Sequence, residues 1–262
     1  MLSLTTAQLT AFLAAFVFPM ARILALVATA PVLGNRGVPA RIRLGLGLAL
    51  TLVIAPLAGP IPDLSPSSFE GLLVLMQQIV IGTAMGLAMR VAFAAVDMAG
   101  ELIGLQMGLG FANFFDPTQG SNAPVVAQFM GLLAILFFLA LNGHLLIIST
   151  LAQSFSVLPI GADLFGAQAA YRLVTWGGQM FESGLTLALP VVAALLIANL
   201  TLGVLTRTAP QLNIFAVGFP ITLMLGFFML ALVLPYLTAP LERLLTSGVS
   251  MALEMAAGNG AR

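Results

Sequence analysis

Residues Gln106 to Gln128 read QMGLGFANFFDPTQGSNAPVVAQ, a polar stretch broken by Gly and Pro between two of the most apolar segments of the chain. Asp116-Pro117 and Asn122-Ala123-Pro124 are turn formers, and Gly108, Gly110 and Gly120 permit backbone angles that other residues avoid. A helix arriving from Ala99 is therefore expected to break near Gly110. Backbone released from a helix cannot face lipid; it is buried in protein or lines a water-filled cavity. Phe111, Phe114 and Phe115 sit beside the turns, where aromatic rings suit either the stopping of a hole or an ordinary interfacial loop at membrane level.

The chain around this insert has 262 residues, 60% of them hydrophobic and 7% charged, and a mean hydropathy of +1.11. Such a composition excludes a soluble domain and reads as an all-α integral membrane protein. Net charge is zero and all nine basic residues are Arg, which argues against a nucleic-acid partner or a polybasic lipid-binding tail. Cysteine is absent, so disulfides, thiolate metal sites and Cys nucleophiles are excluded. Leu9 to Val27 followed by Ala28-Thr29-Ala30 imitates a signal peptide, but no basic residue precedes it, Arg22 interrupts it and Pro31 would follow the cut. A retained first helix is expected.

A spanning helix needs ~20 mostly apolar residues. About six segments approach that length, at 9–32, 44–61, 72–95, 125–151, 185–206 and 214–237, within a single polytopic domain over 1–262. Pro56 and Pro60 cut the second, and Pro19 and Pro190 can kink the first and fifth. A seventh piece over 241–255 sets Leu241, Leu244, Leu245, Met251 and Leu253 against Glu242, Arg243 and Glu254, the pattern of an amphipathic helix. Arg36, Arg41 and Arg43 put the first connection in the cytoplasm by the positive-inside rule. Alternation over six crossings would then place both termini outside, with Arg172 on the opposing side.

Asp97, Glu101, Gly104 and Gly108 fall on one helix face, and Gly100-x-x-x-Gly104-x-x-x-Gly108 permits close helix packing, within the chain or against a partner; Gly82 and Gly86 repeat the pattern. Arg22, Arg90, Asp97 and Glu101 lie in or beside apolar segments, so they are expected to be buried against protein or to face water, as ion pairs or as a proton relay. His144 is the one histidine, and a lone imidazole makes neither a metal site nor a triad, so a hydrogen-bonded helix-end histidine is expected. With no phosphate-binding or dinucleotide motif, no enzyme, cofactor or metal is expected. Pro210 should end one helix, Asn213 cap the next, and Arg207 sit near a helix C-terminus. The residues alone imply a polytopic assembly or transport protein, with a proton-coupled transporter of a small solute using Arg90, Asp97 and Glu101 as an alternative reading.

Gln106-Met107-Gly108 leading through Phe111-Ala112 to Asp116-Pro117, then Asn142-Gly143-His144, and above all Arg207-x-x-Pro210-Gln211-x-Asn213-Ile214-Phe215 with Gly218-Phe219-Pro220, resemble the FliR family along the whole chain. This family supplies the inner-membrane export-gate component of the bacterial flagellar type III secretion system, and its virulence-system counterpart is similar in plan. The resemblance implies a FliP-like part followed by a FliQ-like part, built of kinked helical hairpins that need not cross the bilayer completely. It implies assembly with FliP- and FliQ-like subunits, an FlhB-like subunit at the cytosolic entrance, and contact with membrane lipid. It also implies that the loop over 110–124, with Phe111, Phe114, Phe115, Asp116, Pro117, Gly120, Asn122 and Pro124, plugs the closed pore against the passage of unfolded rod, hook and filament subunits.

Overall fold

Apolar runs punctuated by Gly and Pro fold here as helices, and among the described residues every regular element is helical. The structure, a computed structural model, describes residues 6–35, 37–62, 64–111, 124–161, 167–209 and 214–257. Its helices are α1 (Thr6–Thr29), α2 (Ala40–Ile54), α3 (Phe69–Gln106), α4 (Val125–Ala140), α5 (Gly143–Val157), α6 (Ala167–Gly177), α7 (Gln179–Thr208), α8 (Ile214–Val233) and α9 (Thr238–Ala257). By length and apolarity, five helical stretches can cross a bilayer: Gln8–Thr29, Ala40–Leu57, Phe69–Gln106, Ala167–Thr208 and Val217–Met255. The bent pair α4 and α5, taken together, would make a sixth. The chain is an all-α membrane protein.

The chain forms two compact units, residues 1–91, 142–177 and 245–262 in the first and 92–141 and 178–244 in the second. The first is built around Arg22, which is fully buried in α1. A buried cation in an apolar setting is costly unless its donors are used. Arg22 donates through Nε to Gln78 Oε1 at 2.8 Å, through Nη1 to Ser154 O at 2.9 Å and Ser154 Oγ at 3.1 Å, and through Nη2 to Leu158 O at 2.9 Å. Its guanidinium carbon lies 4.3 Å from the centroid of the Phe155 ring. Ser154 and Leu158 lie at the C-terminal end of α5, where the helix dipole is negative; Ser154 O already accepts from Leu158 N at 3.0 Å, so Arg22 adds a second bond there and supplies one to Leu158 O, and one side chain of α1 caps α5 and ties both to α3. Gly82 and Gly86 let α3 approach α1 closely: a Cβ at Gly82 would strike the main-chain oxygen of Arg22, and one at Gly86 the Thr29 hydroxyl.

In the second unit, Phe93 and Phe138 meet edge to face, 5.6 Å between centroids and 75° between planes. Gly100 brings α3 against the main chain of α4 at Val126 and Ala127, and a Cβ at Gly184 of α7 would lie 2.9 Å from Ala95 O. α7 and α8 pack together as a hairpin.

Several boundaries differ from expectation. The apolar run placed over 72–95 belongs to a longer helix that carries Asp97 and Glu101 on an exposed face and ends at Gln106, in line with the break expected near Gly110. The segment expected over 125–151 is two helices, parted at Leu141 and Asn142, where Asn142 takes φ +56°, a left-handed angle that Asn tolerates. α6 was not anticipated; its mixed composition gives no long apolar run. Pro19, Pro190 and Pro220 lie inside α1, α7 and α8 without ending them, whereas Pro56 and Pro235 turn their chains into short 3₁₀ segments. The C-terminal piece is amphipathic as its spacing indicates, with Leu241, Leu244, Leu245, Ala252 and Met255 buried and Glu242, Arg243 and Glu254 exposed.

Arg22→Leu leaves the Gln78 and Leu158 oxygens without the Arg22 donor and Ser154 O with the Leu158 N–H alone, and should destabilise the detergent-solubilised chain by roughly 3 kcal/mol. Ser154→Ala, which removes only the hydroxyl, should cost about 1 kcal/mol, both read from denaturant unfolding. Gly100→Ala should cost about 2 kcal/mol because the α4 main chain cannot yield. At Gly104, by contrast, a Cβ would sit 3.7 Å from Pro124 Cβ, ordinary contact, so Gly104→Ala should be neutral or stabilising by up to ~1 kcal/mol.

Candidate functional site

The insert that interrupts the apolar chain hangs from two roots, both in the second unit. On its N-terminal side, α3 closes with Met107 N donating to Ile103 O at 2.9 Å and Gly108 N to Leu105 O at 3.1 Å. Gly108 then takes φ +86°, the left-handed turn at a helix end that glycine adopts without strain, and Leu109–Phe111 form a short 3₁₀ segment. On its C-terminal side, Pro124 precedes the first turn of α4 with φ −51° and accepts from Gln128 N at 3.0 Å. The Gly100 and Gly104 face of α3 receives Pro124, Val126 and Ala127, so the two roots are held on one helix face.

The freed carbonyls at the first root are not left bare. Asn199 of α7 donates Nδ2–H to Gln106 O at 3.4 Å, and Thr222 of α8 donates Oγ1–H to Met107 O at 3.1 Å. Met107 is fully buried, and its side chain occupies the space left by Gly226, where a Cβ would come within 2.7 Å of Sδ. Beside the second root an apolar groove of about 350 Å³ is lined by Val125, Val126, Phe129, Phe227, Leu230 and Leu234.

Of the residues expected at the plug, Phe114, Phe115, Asp116, Pro117, Gly120 and Asn122 lie outside the described residues, as does the side chain of Phe111; Pro124 is half-buried at the second root. Gly100, Gly104 and Gly108 are all at the roots. Of the charges expected to be buried against protein or to face water, Arg22 is buried in the first unit, and Arg90, Asp97 and Glu101 are exposed. Asp97 and Glu101 are four residues apart on the outward side of α3, and the Asp97 carboxylate lies over Gly131 of α4, where a Cβ would meet Oδ1 at 2.9 Å.

Arg207 is exposed in the last turn of α7, where it complements the helix dipole. Pro210, Gln211 and Asn213 lie outside the described residues, and Phe215 falls in the first turn of α8 with its side chain outside them. His144 opens α5 instead of ending a long segment, and its buried Nδ1 has no hydrogen-bond partner among the described residues, contrary to the hydrogen-bonded helix-end expectation. Asn199, Thr222, Gln78 and Ser154 were not anticipated. Their signal is an uncharged hydrogen-bonding side chain within an apolar helix, and it is weak because Thr and Ser also bond to their own helix, as Thr201 and Ser149 do.

Residues 13–248 match the family of bacterial export proteins, family 1. The chain is 49% identical to the flagellar biosynthetic protein FliR of Pectobacterium carotovorum and 47% identical to that of Escherichia coli K12, each over 93% of both chains. It is 34% identical to the FliR of Bacillus subtilis over 82% of this chain and 84% of that one. The likeness runs through both units and through the insert with its roots, and the chain therefore belongs to the FliR family of bacterial flagellar export proteins.

Proposed function

We propose that the chain, by its family a multi-pass membrane component of flagellar biosynthesis and export, is a structural, non-enzymatic pore subunit of the flagellar type III export gate, in the inner membrane at the basal body. In this reading it assembles with FliP- and FliQ-like subunits, meets an FlhB-like subunit at the cytosolic entrance, and passes unfolded rod, hook and filament subunits. The insert between Phe111 and Pro124 seals the path at rest. Energy comes from the proton-motive force and an associated ATPase, outside this chain.

The observation that carries the reading is the anchoring of the insert. A segment that stops a hole and later yields has to hang from roots whose helix packing holds while the segment moves. Both roots lie on the close-packed Gly100 and Gly104 face, and the carbonyls at the end of α3 are held by Asn199 and Thr222. An ordinary interfacial loop needs no such support, since water satisfies its ends.

Purification of the tagged chain in mild detergent should recover it in a complex far larger than its own 27.2 kDa, together with FliP- and FliQ-like proteins. A lone monodisperse chain that moves a small solute when reconstituted by itself would instead establish the transporter. Deletion of Phe111 to Asn122 should leave the complex assembled and make it leak small ions, read as conductance in planar bilayers. Unchanged conductance of the assembled deletion complex would remove the sealing role.

A further inference from the structure

We propose that the Thr222 hydroxyl is a releasable latch that positions the end of α3. Thr222 is buried in the second unit, and its Oγ1 lies 3.1 Å from Met107 O and 3.0 Å from Phe219 O. A hydroxyl carries one proton, so these two acceptors compete for it. Phe219 O is three residues back in the same helix, the local bond that a helical Thr makes readily. Rotation about the Cβ–Oγ1 bond therefore moves the proton from α3 to α8 without leaving the donor unsatisfied, and only the Met107 carbonyl is freed. Most buried interhelical hydrogen bonds lack this alternative, since breaking them strands both partners.

The other bond at this end is weaker. Asn199 Nδ2 stands 3.4 Å from Gln106 O, near the outer limit of a hydrogen bond, which leaves Thr222 as the principal directional tie. One turn along α8, Gly226 forms the seat for the Met107 side chain. A thioether in a smooth seat packs well without fixing orientation. The seat grips, and the hydroxyl sets the angle at which the chain leaves α3. This geometry stands by itself; its meaning as control of a seal rests on the proposed role of the insert.

The test uses the full-length chain in the membrane complex with which it purifies, by hydrogen–deuterium exchange at the Met107 and Gly108 amides, which donate to Ile103 O and Leu105 O. Thr222→Val keeps the shape and removes the hydroxyl, and should speed exchange at these amides several-fold with complex recovery unchanged. Thr222→Ser keeps the hydroxyl and should exchange at the parent rate. Thr222→Ala read against Thr222→Ser gives the same contrast should the valine variant fail to assemble. Parent-like exchange in the variants without a hydroxyl overturns the latch, whatever the conductance of the deletion complex. Faster exchange in those variants alongside a silent deletion sustains the latch and removes the sealing role alone.

Discussion

Where a helix stops inside an apolar environment, its last carbonyls lose their intrahelical donors, and in lipid no water replaces them. Both units depend on how that need is met. In the first, Arg22 reaches the end of α5 from α1 and spends its guanidinium on Ser154, Leu158 and Gln78. In the second, Asn199 and Thr222 reach the end of α3 from α7 and α8. The two solutions differ in strength. A cation buried among neutral acceptors has nowhere else to go and makes a permanent joint. A hydroxyl with a second acceptor in its own helix makes a joint that can open.

Glycine sets the distances that these bonds require. Gly82 and Gly86 draw α3 onto α1 in the first unit, and Gly100 and Gly184 draw α4 and α7 onto α3 in the second. Close backbone approach supplies the dispersion contact that drives helix association when the surrounding lipid is as apolar as the side chains. The faces turned outward remain apolar over long stretches, with Leu52 and Val53 of α2, Ile197 and Leu200 of α7 and Phe227 and Phe228 of α8 all exposed, as expected of a chain whose solvent is lipid or neighbouring protein.

Helix type and approximate position were legible from apolar runs, and the turn after α3 from Gly108, because composition and glycine act locally. The ends were harder to read. The apolar run of α3 stops near residue 95, yet the one-face spacing of Asp97, Glu101, Gly104 and Gly108 carries the helix on, and it ends at Gln106. Asn142 looks like one polar residue in a span, yet its left-handed angle divides that span in two. Arg22 is recognisable in sequence as a costly charge, but its partners stand 56 and 132 positions away, and nothing local distinguishes Gln78 or Ser154 from other polar residues in apolar helices. The glycines at the insert's roots were visible as a spacing, whereas the carbonyl bonds from Asn199 and Thr222 arise from tertiary contact alone.

The joint at Arg22 also imposes an order in time. Ser154 follows Arg22 by 132 residues, so at ribosomal rates of roughly 5–20 residues per second the cation exists for on the order of ten seconds before α5 has been synthesised. Throughout that interval α1 carries an insertion cost of about 2.5–3.5 kcal/mol that its final partners have not yet offset. Helix α1 is thus seated only once α5 has been made, and completion of its packing is clocked by translation of a segment well over a hundred residues downstream.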